Sequence, residues 1–126
     1  MEHKRSHNSS KVPQMSTVFP QAVIAGNFVF LSGTPGLIPV TDKLSESFED
    51  QVRQAFLNIK TILEEVGSGL EKIVKTTVFM VAGNDFAILN KVYGEMFPAN
   101  APARSTPQVM PFPGGILVSV ECIAML

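Results

Sequence analysis

Beyond Glu95 the chain carries only two charged side chains, Arg104 and Glu121. Arg104 stands in Pro102-Ala103-Arg104-Ser105-Thr106, and Glu121 in Leu117-Val118-Ser119-Val120-Glu121-Cys122-Ile123. Both runs otherwise read as buried β-strand. A charge taken out of water is costly unless it is paired, hydrogen-bonded or offered to a ligand. Two readings stand side by side: a structural ion pair linking two strands, or a site. The only histidines, His3 and His7, lie in the polar lead-in from Met1 to Lys11. The folded body is thus expected to hold no histidine for general base work and no Cys/His cluster for zinc. Catalysis, if any, falls to carboxylate, guanidinium, hydroxyl and backbone groups.

A chain of 126 residues supports one hydrophobic core. With 45% apolar and 17% charged residues it reads as globular and rather apolar for its size, which suggests that a partner covers part of its surface. A net charge of -1 offers no basic footprint, so nucleic acid is not the expected ligand. A single cysteine, Cys122, fits a reducing compartment, and the expected location is cytoplasmic. No apolar run has the length of a membrane span, and no secretory signal is expected at the N-terminus.

The elements that must position these groups follow from the pattern. Residues 1–12 lack any period and read as a flexible tail, with one domain over 13–126. Val23-Ile24 and Phe28 to Leu31, separated by Ala25-Gly26-Asn27, read as a β-hairpin, and Pro20 biases Phe19 to an extended conformation. The hairpin runs into Ser32-Gly33-Thr34-Pro35-Gly36, a strand end able to bind an anion through uncrowded backbone N–H groups or simply a turn. Ser47 with Asp50 resembles a capping box ahead of Phe48, Val52, Phe56, Ile59, Leu63 and Val66 at helical spacing, and Gly67 sits at the C-terminal cap. Ile73 to Val81 is a strand covered on both sides: Ile73, Thr77, Phe79 and Val81 take one face, and Val74, Thr76, Val78 and Met80 the other. Asn84 or Asp85 caps a second helix from Phe86 to about Phe97, ended by Pro98. Its apolar side holds Phe86, Leu89, Tyr93, Met96 and Phe97, with Asn90 on that side as a core amide or a site residue. Arg104 to Thr106 begins another strand, and Ile116 to Met125 is the last. The order suggests an α+β fold, a mixed sheet with two helices on one face. The other face stays apolar, which implies a symmetric oligomer packed through it.

Several of these segments resemble the reactive-intermediate deaminase family, RidA or YjgF. Ile73-Val74-Lys75-Thr76-Thr77-Val78-Phe79 with Asn84-Asp85-Phe86, Asn90, Tyr93 and Phe97 resembles its central signature. Pro102-Ala103-Arg104-Ser105 and Val120-Glu121-Cys122-Ile123-Ala124 resemble its C-terminal one, and Ser32-Gly33 its N-terminal one. The resemblance implies a chorismate-mutase-like fold of the bacillus type, a homotrimer with clefts between subunits, and hydrolysis of a small carboxylated enamine or imine to a keto acid and ammonia without metal or cofactor. It implies that Arg104 clamps the substrate carboxylate and Glu121 positions or deprotonates the attacking water. Gly33 would offer a backbone N–H, with Ser32, Phe19, Asn90 and Thr106 lining the pocket. The chain departs from the family pattern at Thr17-Val18-Phe19 (usually Gly-Pro-Tyr), at Thr106 (commonly Cys) and at Thr34 (usually Gln). Those changes leave three readings open: a general imine deaminase, a pathway-specific one such as a 2-aminomuconate or aminoacrylate deaminase, and a non-catalytic trimeric ligand-binding or regulatory protein.

Overall fold

The computed structural model describes residues 3–126. Helix α1 (Phe48–Glu65) starts at Ser47, whose hydroxyl accepts a hydrogen bond from the Asp50 amide at 3.2 Å. It closes where Gly67 takes φ 88°: Gly67 N–H reaches Glu64 O at 3.2 Å and Ser68 N–H reaches Leu63 O at 2.8 Å. That pair of bonds is the Schellman pattern the glycine allows. Helix α2 (Phe86–Met96) is capped by Asp85, whose carboxylate accepts from the Ala87 amide at 2.8 Å.

The strands are β1 (Arg5–His7), β2 (Ala22–Ala25), β3 (Phe28–Pro35), β4 (Ile73–Val81), β5 (Ala103–Ser105), β6 (Gln108–Val109) and β7 (Val118–Met125). They form one mixed sheet in the order β1-β2-β3-β7-β4-β5, with β6 also beside β4. β5 and β6 run parallel to β4, a pairing that requires a crossover, and α2 supplies it. Both helices pack on one face, around Val29, Phe56, Ile59, Val78, Met80, Leu89, Val92, Val118 and Val120, all fully buried. This is the α+β arrangement expected. On the other face Phe28, Phe30 and Met125 are each more than 40% exposed. Among the described residues no helix is long and apolar enough to cross a membrane.

Two buried amides on α1 tie the loops to this frame. Gln51 Nε2 donates to Ser45 O at 2.8 Å and Gly115 O at 3.1 Å, while Leu117 N–H donates to Gln51 Oε1 at 2.9 Å. Asn58 Nδ2 donates to Leu37 O at 2.8 Å and Pro35 O at 3.3 Å. Gly36 passes so close that a Cβ there would collide with the Gln51 carbonyl oxygen.

The structure corrects the sequence reading in several places. Residues 1 and 2 of the expected tail lie outside the described residues, but Arg5–His7 is an edge strand paired with Ala22–Ile24. The lead-in is held by side chains. Ser9 N–H donates to Gln21 Oε1 at 2.7 Å, Gln21 Nε2 donates to Val12 O at 3.1 Å, and Ser9 Oγ donates to Glu65 Oε2 at 2.8 Å. His7 therefore belongs to the folded body, with its Nε2 2.7 Å from Glu65 Oε1. In β4 a register shift between Ile73 and Lys75 turns Ile73 onto the helix side and leaves Val74 39% exposed, the reverse of the expected faces at that end. On α2 the buried stripe is Leu89, Val92 and Tyr93, Phe86 is exposed, and Asn90 consequently falls on the water-facing side.

Candidate functional site

β4 is the rail on which both charged residues are hung. Thr76 pairs with Arg104 of β5 on one side and Cys122 of β7 on the other, and Thr77 pairs with Ser105 and Glu121. Residues opposite one another across a sheet share a face, and successive rows alternate. Arg104 therefore shares the helix-covered face with the buried Thr76 and Cys122, whereas Glu121 shares the open face with Thr77 and Ser105. The two charges are two strand spacings apart, about 10 Å by sheet geometry, and leave the sheet in opposite directions. Among the described residues neither joins an ion pair. The structural pair between the two strands is not formed within the chain, and neither is a site containing both.

Arg104 is half-buried, its guanidinium carbon 4.7 Å from the centroid of the Tyr93 ring. Tyr93 comes from the buried stripe of α2, and its hydroxyl shares a 2.7 Å hydrogen bond with the Thr76 hydroxyl. Burial pushes the Tyr93 phenol above its ordinary value, against the opposing pull of the Thr76 hydrogen bond and the Arg104 charge. Burial likewise pushes the Cys122 thiol up to about 12, with the Glu121 charge adding to it, so Cys122 is an inert core side chain.

On the open face, Glu121 is exposed between the buried Val120 and Cys122. A break in the β3–β7 register between Leu31 and Thr34 brings Gly33 against Ser119, two residues along β7 from Glu121. The approach is close: a Cβ on Gly33 would meet Ser119 Oγ at 2.7 Å. Gly33 and Glu121, both singled out from sequence, are thus brought to the same side of the sheet. Lys75, Ser105 and Ser119 join them there and were missed; Lys75 Nζ donates to Ser105 Oγ at 3.2 Å. The alternating pattern of β4 and β7 carried the signal for Lys75 and Ser119.

Phe19 and Ser32 sit together in a cleft of about 340 Å³ that also takes in Gly33, Thr34, Gln21 and Asn58. Ser32 Oγ donates to Pro20 O at 2.7 Å, and Phe19, 45% exposed, stands at the wall. Asn90 lies apart, on the outer side of α2, and Thr106 is half-buried just past β5. One chain therefore supplies three partial surfaces: a guanidinium over an aromatic ring at the β5 edge, a carboxylate on the open face, and a small, largely apolar cleft beside Gly33.

A family model described as Endoribonuclease L-PSP matches residues 9–126. Reactive Intermediate Deaminase A, chloroplastic, of Arabidopsis thaliana is 43% identical over 120 residues, which is 94% of this chain and 64% of that protein. The chain thus spans just under two thirds of that relative's length. The 2-iminobutanoate/2-iminopropanoate deaminase of Dermatophagoides farinae is 34% identical over 127 residues, covering 100% of this chain and 99% of the relative. Among solved structures, E. coli TdcF with bound serine superposes with a TM-score of 0.91 at 32% identity, covering 97% of this chain and 99% of that one. From residue 9 to its end, this chain belongs to the RidA/YjgF family that its central and C-terminal segments resemble.

Proposed function

We propose that this protein hydrolyses small carboxylated imines or enamines to the 2-keto acid and ammonia, in clefts built where copies of the chain meet. The observation that carries this reading is that Arg104 and Glu121 are both without an ion partner and leave opposite faces of one sheet. A single copy cannot close them on one small molecule; the β5 edge of one copy set against the open face of another can. The exposed Phe28, Phe30 and Met125 give that second copy an apolar surface to cover, and a homotrimer satisfies all three seams at once. The names of the two deaminase relatives support the imine substrate, and the serine in the TdcF structure supports a small carboxylated ligand.

In this mechanism Arg104 binds the substrate carboxylate with two parallel N–H···O bonds, a geometry Lys cannot reproduce. The Gly33 N–H and the side chains of Ser32, Phe19, Asn90 and Thr106 line the rest. Glu121 orients a water against the imine carbon and accepts its proton as the C–O bond forms. The proton returns to nitrogen, the C–N bond breaks, and ammonia leaves a keto acid. The imine carbon is already electrophilic, so placement of the water supplies most of what is needed. These steps use no metal or organic cofactor, and the workplace is the cytoplasm.

The rival reading, a ligand-binding trimer without turnover, draws on Phe19, which offers no hydroxyl to a cleft that is largely apolar. The test is ammonia release from freshly generated 2-iminobutanoate. The wild type is expected to accelerate it, and Glu121→Gln to lose at least about 100-fold while still binding 2-oxobutanoate. No acceleration by the wild type would favour the binding protein, and full activity in Glu121→Gln would remove that carboxylate from the mechanism.

A further inference from the structure

The inference concerns what aims Arg104, and it rests on the proposal that Arg104 anchors the substrate carboxylate. Arg104 lies on a three-residue edge strand, and no carboxylate among the described residues fixes its side chain. A free arginine side chain samples many rotamers, and that freedom is lost when a ligand binds. Here the guanidinium instead rests 4.7 Å above the Tyr93 ring. That ring is fixed from three sides: Phe56 meets it edge-on at 5.6 Å, Phe97 packs at 4.7 Å, and Thr76 holds its hydroxyl at 2.7 Å. Thr76 is also the residue paired with Arg104 across β4 and β5. The shelf under the guanidinium is thus pinned by the neighbour of the residue it supports.

The chemistry of this support differs from that of an ion pair. A carboxylate partner would occupy the N–H fork that a substrate needs. An aromatic face attracts the cation through its ring quadrupole and leaves the N–H donors, which lie in the guanidinium plane, available. We infer that Tyr93, tethered by Thr76, is the positioning residue that pre-orients Arg104 and keeps its donors open for a carboxylate ligand.

Calorimetric titration with 2-oxobutanoate tests this, alongside the ring-current shift of the Arg104 Nε–H in the NMR spectrum of the ligand-free protein. Arg104→Ala is expected to weaken binding at least about 100-fold, as loss of a charge-assisted bidentate contact should. Tyr93→Leu is expected to weaken it between about two- and thirtyfold, the range of a cation–π contact from exposed to desolvated, and to abolish the ring-current shift. Thr76→Val and Tyr93→Phe keep the ring and cut only the tether; each is expected to lose about threefold, with the Nε–H signal broadened. In an Arg104→Ala background, Tyr93→Phe and Thr76→Val should cost nothing further, because they act through the missing guanidinium. Equal losses from these substitutions with and without Arg104 would overturn the positioning role. So would full affinity in Thr76→Val and Tyr93→Phe together with an unshifted Nε–H in the wild type. Unchanged binding in Arg104→Ala would instead overturn the anchor, and the positioning role with it. Thr76→Val and Tyr93→Phe keep the ring in place, so the result stands even if Tyr93→Leu fails to fold.

Discussion

The two faces of the sheet differ by one residue step along β4 and treat their side chains in opposite ways. Toward the helices, Val78, Met80, Val118 and Val120 are fully buried, and Thr76 shares its hydroxyl with Tyr93. Away from them, Phe28, Phe30 and Met125 stay more than 40% exposed, and Glu121 has no ion partner among the described residues. The covered face spends its residues on stability; the open face holds apolar area and charge that one chain has no use for. The same chemical group should therefore matter in different ways on the two sides.

The largest expected effect tests that contrast directly. Phe56→Ala, which opens a cavity beside Tyr93 and Phe97, should cost about 3–5 kcal/mol in urea unfolding. Phe30→Ala, the same truncation on the open face, should cost the dissociated chain less than about 1.5 kcal/mol, because much of the ring already meets water. It should instead lower the assembly mass seen by sedimentation. Equal unfolding costs for the two would break the comparison.

A second pair sharpens it through backbone contacts. Gly36→Ala drives a methyl into the Gln51 carbonyl, which is fixed in the helix, and should cost about 1–3 kcal/mol in thermal unfolding. Gly33→Ala meets only the Ser119 hydroxyl, which can swing away, so its stability cost should stay below about 1 kcal/mol while imine hydrolysis falls. A large stability loss at Gly33 with hydrolysis intact would make it a packing glycine like Gly36.

The smallest effect lies at the sheet's far edge. Burial works against ionisation of Glu65, but its hydrogen bonds to His7 and Ser9 prevail and hold its carboxyl below the usual range. A depressed carboxyl contributes stability that is present above the unfolded pKa of roughly 4.3 and is lost as pH falls through the lower folded value. Glu65→Gln should therefore flatten the decline of Tm below about pH 5 without altering the neutral-pH assembly. An unchanged acid slope would show that the contact contributes nothing.

What could be read from the sequence was local, and what could not was register and side-chain bonding. Helix α1 was legible at both ends because Ser47 and Gly67 act within one turn of themselves. The facing of β4 at Ile73 was not, since a single shift in pairing with β7 reverses the alternation and leaves no local mark. Asn90 was misplaced because Phe86 was counted in the buried stripe, whereas that stripe begins at Leu89. The lead-in escaped because distant Gln21 and Glu65, rather than its own apolar period, hold it. For the candidate site, the types of Arg104, Glu121 and Gly33 stood out plainly. That Arg104 and Glu121 face away from each other depends on their shared pairing with Thr76 and Thr77, information a three-residue strand cannot carry.

The Gln51 amide has a consequence for motion. It binds the approach to α1 at Ser45 and the approach to β7 at Gly115 and Leu117, two irregular stretches far apart along the chain. Neither can loosen without stranding a buried polar group, so the two should open as a single cooperative unit, and the Leu117 amide should exchange its proton for deuterium as slowly as those of the central strands. The segment that delivers Ser119 and Glu121 is in that sense clamped by the helix behind it.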